Sequence, residues 1–300
     1  LDLSELLVSI RLGADVWMVC SRKFAVGRAD FIIRGCTGNA EYFVWISLKG
    51  HGNGRISQRG SAVGSGNLYG MKSTPAVVLV SGGLDSATVL ALAARDHPSM
   101  IALTFEYGQR HSHELSCAAS ICRNQGVSDH RVIPLDASLL AGSALTGGGE
   151  IPRPESIEVI GSTIPDTYVP ARNTVFLSMA LAVAEIAGAA DIYIGANAID
   201  FSGYPDCRPE FISAFQTMAR LATKCGVEGV PLSIMTPLIN MTKAEIIQCG
   251  IDMGVDYSMT SSCYDPSDSG QPCGSCESCL LRAEGFAEAG VVDPLVGASV

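Results

Sequence analysis

Ala76-Val77-Val78-Leu79-Val80-Ser81-Gly82-Gly83-Leu84-Asp85-Ser86 is the stretch on which the fold turns. Its first five residues form a continuous apolar, β-branched-rich run, as expected of a strand buried on both faces. Residues 86–94 then read as a helix, stopped near His97-Pro98. Between the two, Gly82 and Gly83 permit a tight turn that brings several backbone N–H groups to one point. The helix aims the positive end of its dipole at the same point. Ser81 and Ser86 add hydroxyls there, and Asp85 is placed to cap the helix or hold a metal. Such a turn is a cradle for a phosphate or pyrophosphate. It is neither a Walker A loop nor the G-x-G-x-x-G dinucleotide fingerprint.

The pattern continues outward from this unit. Residues 100–105, 131–135 and 191–194 read as strands, and a further candidate strand precedes Thr236. Residues 114–125, 173–187, 209–225, 243–253 and 277–289 read as helices. Strands alternating with helices predict an α/β fold with a doubly wound parallel sheet covered on both faces. Ligands in such sheets sit beyond the carboxyl ends of the strands.

Composition narrows the classes. The chain has 300 residues, 47% hydrophobic and 17% charged, with mean hydropathy +0.28, which excludes general disorder. The apolar stretch 174–184 is 11 residues long and ends at Glu185, well short of the roughly 20 that a bilayer requires. A net charge of −10 argues against a protein that tracks a nucleic-acid backbone. The charge is uneven: residues 1–70 carry 8 basic and 5 acidic side chains, against 12 and 25 in residues 71–300. The first segment also holds 11 of the 32 glycines and shows no sustained period. It reads as a poorly structured extension upstream of a natural start at Met71. The alternative is a small β-rich subdomain with residues 42–48 as one strand. Residues 71–259 then form the nucleotide-binding and substrate domain, and 260–300 a metal-binding region.

Eleven cysteines would suit a disulfide framework, but their spacing points elsewhere. Cys263, Cys273, Cys276 and Cys279 form C-x9-C-x2-C-x2-C among Gly, Pro and Ser residues. Four thiolates on such a loop suit a closed, structural Zn²⁺ knuckle, with an iron–sulfur cluster as the alternative. Cys117, Cys122, Cys225 and Cys249 read as buried small hydrophobes.

The hexapeptide Ser81-Gly82-Gly83-Leu84-Asp85-Ser86 after an apolar strand resembles the PP-loop of the ATP pyrophosphatases, whose fold is of the adenine nucleotide alpha hydrolase type. These enzymes cleave ATP between the α- and β-phosphates and transfer AMP to a carbonyl oxygen. The resemblance implies that Val80, Ser81, Gly82, Gly83, Leu84, Asp85, Ser86, Ala87, Thr88, Val89 and Leu90 form the ATP site. Mg²⁺ would accompany ATP, and Ser81, Asp85 and Ser86 would act in catalysis.

Four further segments add specificity: Tyr107-Gly108-Gln109-Arg110-His111, Val169-Pro170-Ala171-Arg172-Asn173, residues 195–208 (GANAIDFSGYPDCR) and Thr236-Pro237-Leu238. With the loop and the four cysteines, they resemble the 7-cyano-7-deazaguanine synthases, nitrile-forming ligases of queuosine precursor biosynthesis, over residues 71–300. That resemblance implies conversion of 7-carboxy-7-deazaguanine, ammonia and ATP to the nitrile, in a cytoplasmic homodimer without nucleic-acid or membrane partners. Arg172 is expected to act on the phosphate. Tyr107, Gln109, Arg110, Asn173, Asp200, Tyr204 and Asp206 are expected to meet the deazapurine, Tyr204 by stacking and Asp200 or Asp206 by accepting from its guanine-like edge. Asn173 is also a favoured helix N-cap. Cys207 reads as packing or pocket lining, and His111, His113 and Glu114 as a polar helix start. Lys243 stands equally as a surface charge or a phosphate contact. No residue stands out as a general base.

Overall fold

The structure is a computed structural model that describes residues 28–37, 40–49, 72–109, 113–147, 149–157, 160, 164–197, 203–230 and 232–296. The chain divides into two units, Leu1–Gly70 and Met71–Val300. In the first, β1 (Arg28–Thr37) pairs antiparallel with β2 (Ala40–Lys49), Arg28 opposite Lys49 and Thr37 opposite Ala40. This ladder takes in residues 42–48, the strand of the alternative reading; residues 1–27 and 50–71 lie outside the described residues. The aromatic and β-branched runs Phe31-Ile32-Ile33 and Tyr42-Phe43-Val44-Trp45-Ile46 favour extended backbone despite the surrounding glycines.

The second unit is built on a five-stranded parallel sheet. β3 (Ala76–Leu79) is central, between β4 (Met100–Glu106) and β6 (Asp191–Tyr193), with β5 (Asp129–Pro134) and β7 (Ser233–Met235) outermost. Val77 pairs with Ile101 on one side and Ile192 on the other. Successive side chains of β3 leave from opposite faces of the sheet. Val77 and Leu79 pack with Leu177 and Ala180 of α3 (Arg172–Ala187) and Phe215 of α4 (Pro209–Ala222). Ala76, Val78 and Val80 pack on the other face with Leu90 of α1 (Leu84–Asp96) and Ile121 of α2 (His113–Asn124). Ile246 of α6 (Lys243–Asp252) and Phe286 of α7 (Glu277–Glu288) complete that layer. Among the described residues no helix is long and apolar enough to cross a membrane.

Two helix boundaries differ from the sequence expectation. The segment 209–225 is not one helix: α4 ends at Ala222, and Thr223 is extended (φ −115°, ψ 151°) before the single turn α5 (Lys224–Val227). The Thr223 hydroxyl accepts from the Gly226 N–H at 3.1 Å and so starts the new turn. At the start of α3 the N-cap position belongs to Ala171, not Asn173, and Ala171 is left-handed at φ 54°. The Asn173 N–H is satisfied from outside the helix by Asp206, at 2.8 Å.

α6 is opened by a capping box between Thr242 and Glu245. It is fastened to α1 through Tyr257, whose buried hydroxyl lies 2.8 Å from Thr88 Oγ1 and donates to Ile246 O at 3.1 Å. A Cβ on Gly250 would fall 1.8 Å from that hydroxyl. Gly250→Ala is therefore expected to expel Tyr257 from its partners and lower unfolding free energy by about 1–3 kcal/mol. A urea melt with an unchanged midpoint would show that the α1–α6 contact does not depend on this close approach.

Candidate active site and metal centre

A cavity of about 240 Å³ opens at the carboxyl ends of β3, β4 and β6. Its walls include Val80 and Ser81 after β3, Tyr107 after β4, and Gly195 after β6. The loop after β3 is held by its own hydroxyls. Ser81 Oγ donates to Ser86 Oγ at 3.1 Å, Ser86 Oγ to Gly83 O at 2.9 Å, and the Gly83 N–H to Ser81 Oγ at 3.2 Å. Gly83 stands at the N-cap of α1 without a side-chain cap, so the positive end of the helix faces the cavity. Gly82 does not line the cavity but makes the turn possible. It is at φ +93°, and a Cβ there would lie 2.3 Å from Glu114 O.

Of the eleven residues expected to form the ATP site, Val80, Ser81, Gly83, Leu84, Asp85 and Ser86 line the cavity. Ala87, Thr88, Val89 and Leu90 do not: their side chains are fully buried along α1, and Thr88 is spent on Leu84 O and Tyr257. Once the helix has begun, its residues turn toward the sheet and away from the loop mouth. Asp85 caps nothing. Its carboxylate receives Lys243 Nζ at 2.8 and 3.0 Å. That pair resolves the open reading of Lys243, which lines the cavity from the start of α6.

Arg172 enters from the first turn of α3 and donates to Tyr107 Oη at 3.3 Å. Tyr107, Gln109, Asn173, Tyr204 and Cys207 share the same cavity. Gln109 is occupied by its own strand end, accepting from the Tyr107 N–H at 2.8 Å and donating to Phe105 O at 3.1 Å. Asn173 Nδ2 donates to Asp206 O and Cys207 Sγ, both at 3.2 Å. Asp206 does not line the cavity, and its carboxylate accepts from the Asn173 N–H. Tyr204 Oη lies 2.9 Å from Thr167 Oγ1. Burial pushes the Cys207 thiol up to about 11, which suits lining and not nucleophilic attack. Arg110 and Asp200 lie outside the described residues.

The sequence reading passed over Glu114 as part of a polar helix start. It sits in the first turn of α2 and lines the cavity. Burial pushes its carboxyl up to about 7, against the pull of Arg172. The signal available in the sequence was its place just after the Tyr107–His111 segment at a strand end.

Cys263, Cys273, Cys276 and Cys279 come together, their sulfurs all within 4.8 Å of one another. A tetrahedral ion with four Zn–S bonds of ~2.3 Å needs sulfurs about 3.8 Å apart, and Cys273 and Cys279 stand at 4.0 Å. Backbone N–H groups of Asp265 and Cys273 donate to Cys263 Sγ at 3.3 and 3.2 Å, as thiolate ligands require. Shared hydrogens from Cys263 and Cys279 hold the Cys276 thiol far below its ordinary range. Arg153 clasps this loop by pairing with Asp265 at 2.6 Å and donating to Ser275 Oγ. The donor set suits one metal ion with no position left open. The loop also reaches the active cavity, since Cys263 and Tyr264 line it.

The model of the queuosine biosynthesis protein QueC family matches residues 75–290. A 7-cyano-7-deazaguanine synthase of Paramagnetospirillum magneticum is 57% identical over 225 residues, covering 75% of this chain and 99% of its own. The synthase of that name from Pelobacter propionicus is 59% identical over 221 residues, covering 73% and 96%. That from Kineococcus radiotolerans is 57% identical over 221 residues, covering 74% and 96%. With the match spanning the loop, the cavity and the cysteine cluster, this chain belongs to the QueC family of queuosine biosynthesis proteins.

Proposed function

We propose that this protein converts 7-carboxy-7-deazaguanine, ammonia and ATP to 7-cyano-7-deazaguanine through an adenylated carboxylate and an adenylated amide. The observation that carries the reading is one cavity holding both the Ser81–Ser86 cradle and Arg172, at the carboxyl ends of the central strands. A carboxylate resists ammonia because its leaving group would be oxide. Adenylation substitutes AMP, ammonia displaces it to give the amide, and a second adenylation on the amide oxygen permits loss of AMP to the nitrile. The two steps place the same oxygen position against the same α-phosphate, so one cavity serves both.

The protein's share is positioning and charge stabilisation. The loop N–H groups and the open end of α1 face the pyrophosphate, and Arg172 faces the α-phosphate. Mg²⁺ bound with ATP would supply charge neutralisation for the pyrophosphate, and Asp85, paired here with Lys243, is the loop carboxylate that would hold it on exchanging that partner. Cys263, Cys273, Cys276 and Cys279 would hold Zn²⁺, which would serve a structural role, since four thiolates complete a tetrahedral site. Free ammonia as nitrogen donor, a homodimer and a cytoplasmic location complete the reading. The segment 1–70, outside the family match, takes no part.

Incubation with 7-carboxy-7-deazaguanine, ATP, Mg²⁺ and ammonium should give the nitrile by mass spectrometry, with two AMP per nitrile. A chain of residues 71–300 should turn over as the full chain does. AMP without nitrile would retain the adenylation chemistry and refute the substrate. For the metal, the purified protein should release about one equivalent of zinc on thiol oxidation. Cys276→Ser should lose that zinc and several degrees of melting temperature. Iron in its place, with a visible absorbance band, would overturn the zinc assignment.

A further inference from the structure

Two carboxylates line the described part of the cavity, Asp85 and Glu114. Asp85 is taken by Lys243. Among the described residues, no hydrogen bond or ion pair engages the Glu114 carboxyl, which is half-buried and lines the cavity. Its place is fixed, because the Glu114 carbonyl is pressed against Gly82 so closely that a Cβ on the glycine would come within 2.3 Å. The first turn of α2 is thus seated against the loop after β3, and the charge of Arg172 from α3 acts on the carboxyl. A half-buried carboxyl that lines the cavity, is engaged by no hydrogen bond among the described residues and has the charge of Arg172 acting on it is available to a ligand there.

On the reaction proposed above, ammonia brings three hydrogens and the nitrile keeps none. Addition to the acyl adenylate expels AMP with the first carboxylate oxygen, and the nitrogen must lose one proton to become the amide. Adenylation of the amide oxygen releases pyrophosphate and costs the nitrogen a second proton. Expulsion of the second AMP carries off the remaining oxygen with its bonding pair. The last N–H pair then closes the triple bond as the third proton leaves. Each of these losses needs an acceptor beside the reacting carbon.

We propose that Glu114 is the general base that takes these protons from the nitrogen and passes each to water in the open cavity. The role rests on the reaction assigned above. A carboxyl titrating near neutral pH is suited to accept and release a proton in each cycle. The other groups that bear on its charge are Arg172 from α3 and, on its own helix, the Cys117 thiol, which burial pushes up. The charge of Arg282 from α7 acts on that thiol.

The test compares the full chain with Glu114→Gln and Glu114→Asp. Adenylation of the carboxylate moves no proton from nitrogen, so substrate-dependent ATP–pyrophosphate exchange should stay within about threefold of the unaltered protein in Glu114→Gln. Nitrile formation should fall by about 10²–10⁴-fold at an unchanged KM for the deazapurine. Glu114→Asp should recover part of the loss, and the kcat limb near neutral pH should vanish in Glu114→Gln. Nitrile formation within about threefold would overturn the proposal. So would a raised KM at unchanged kcat, which would make Glu114 a ring contact. Loss of exchange together with nitrile formation in both variants would overturn it too, leaving only a role in shaping the loop. If the unaltered protein shows neither exchange nor nitrile, the reaction itself is refuted and the role falls with it.

Discussion

Gly82 has no room for a side chain, and much of the enzyme is arranged around that fact. It turns at φ +93° with the Glu114 carbonyl against it on one side, and its own carbonyl accepts from the Ser261 N–H at 2.9 Å on the other. Three parts of the chain that are far apart in sequence therefore meet at one backbone atom group. A side chain here would demand both a disfavoured backbone conformation and the retreat of α2. The loop hydroxyls, the open end of α1 and the position of Glu114 all follow from this contact.

The same contact joins the phosphate end of the cavity to the cysteine cluster. Ser261 is followed two residues later by Cys263, so the segment that supports the loop is also the segment the cluster anchors. Behind it, Arg282 of α7 donates to Asp293 at 2.7 and 2.9 Å and to Thr260 at 2.8 Å. This buried pair is satisfied on every side, the condition under which a buried charge is tolerated. Further along α7, Gly285 leaves space for the stem of Lys243, whose Cγ lies 2.4 Å from where a Cβ would stand. Cysteine cluster, helix, lysine and loop carboxylate thus form one continuous packed path. The cysteine region is part of the cavity wall and shares the core through Phe286.

The parallel sheet was readable because its strands are short apolar runs and its helices end at glycine, proline or a cap. Periodicity placed the elements but not their ends. Thr223 interrupts the segment 209–225 by a side-chain hydrogen bond that competes with the helix, and no change of period announces it. The cysteine cluster was equally legible, since metal ligation imposes local spacing. The polar residues of the substrate loops were less so. Asp206 and Gln109 carry the right chemistry for a ligand, yet their groups are consumed by nearby backbone. Which partner a side chain finds depends on what the fold brings beside it.

The sequence by itself determined the strand–loop–helix cradle, the four-thiol cluster and the alternating order of the sheet. Each is a local pattern, set by backbone freedom at glycine, ligand spacing and the two faces of a strand. Tertiary structure alone decided that Lys243 reaches Asp85 across 158 positions of sequence. It also decided that Asp206 caps α3, and that Glu114 lines the cavity with no hydrogen-bond partner among the described residues. These are properties of charge and burial at a distance. They exist only once the chain has closed around Gly82 and brought these groups together.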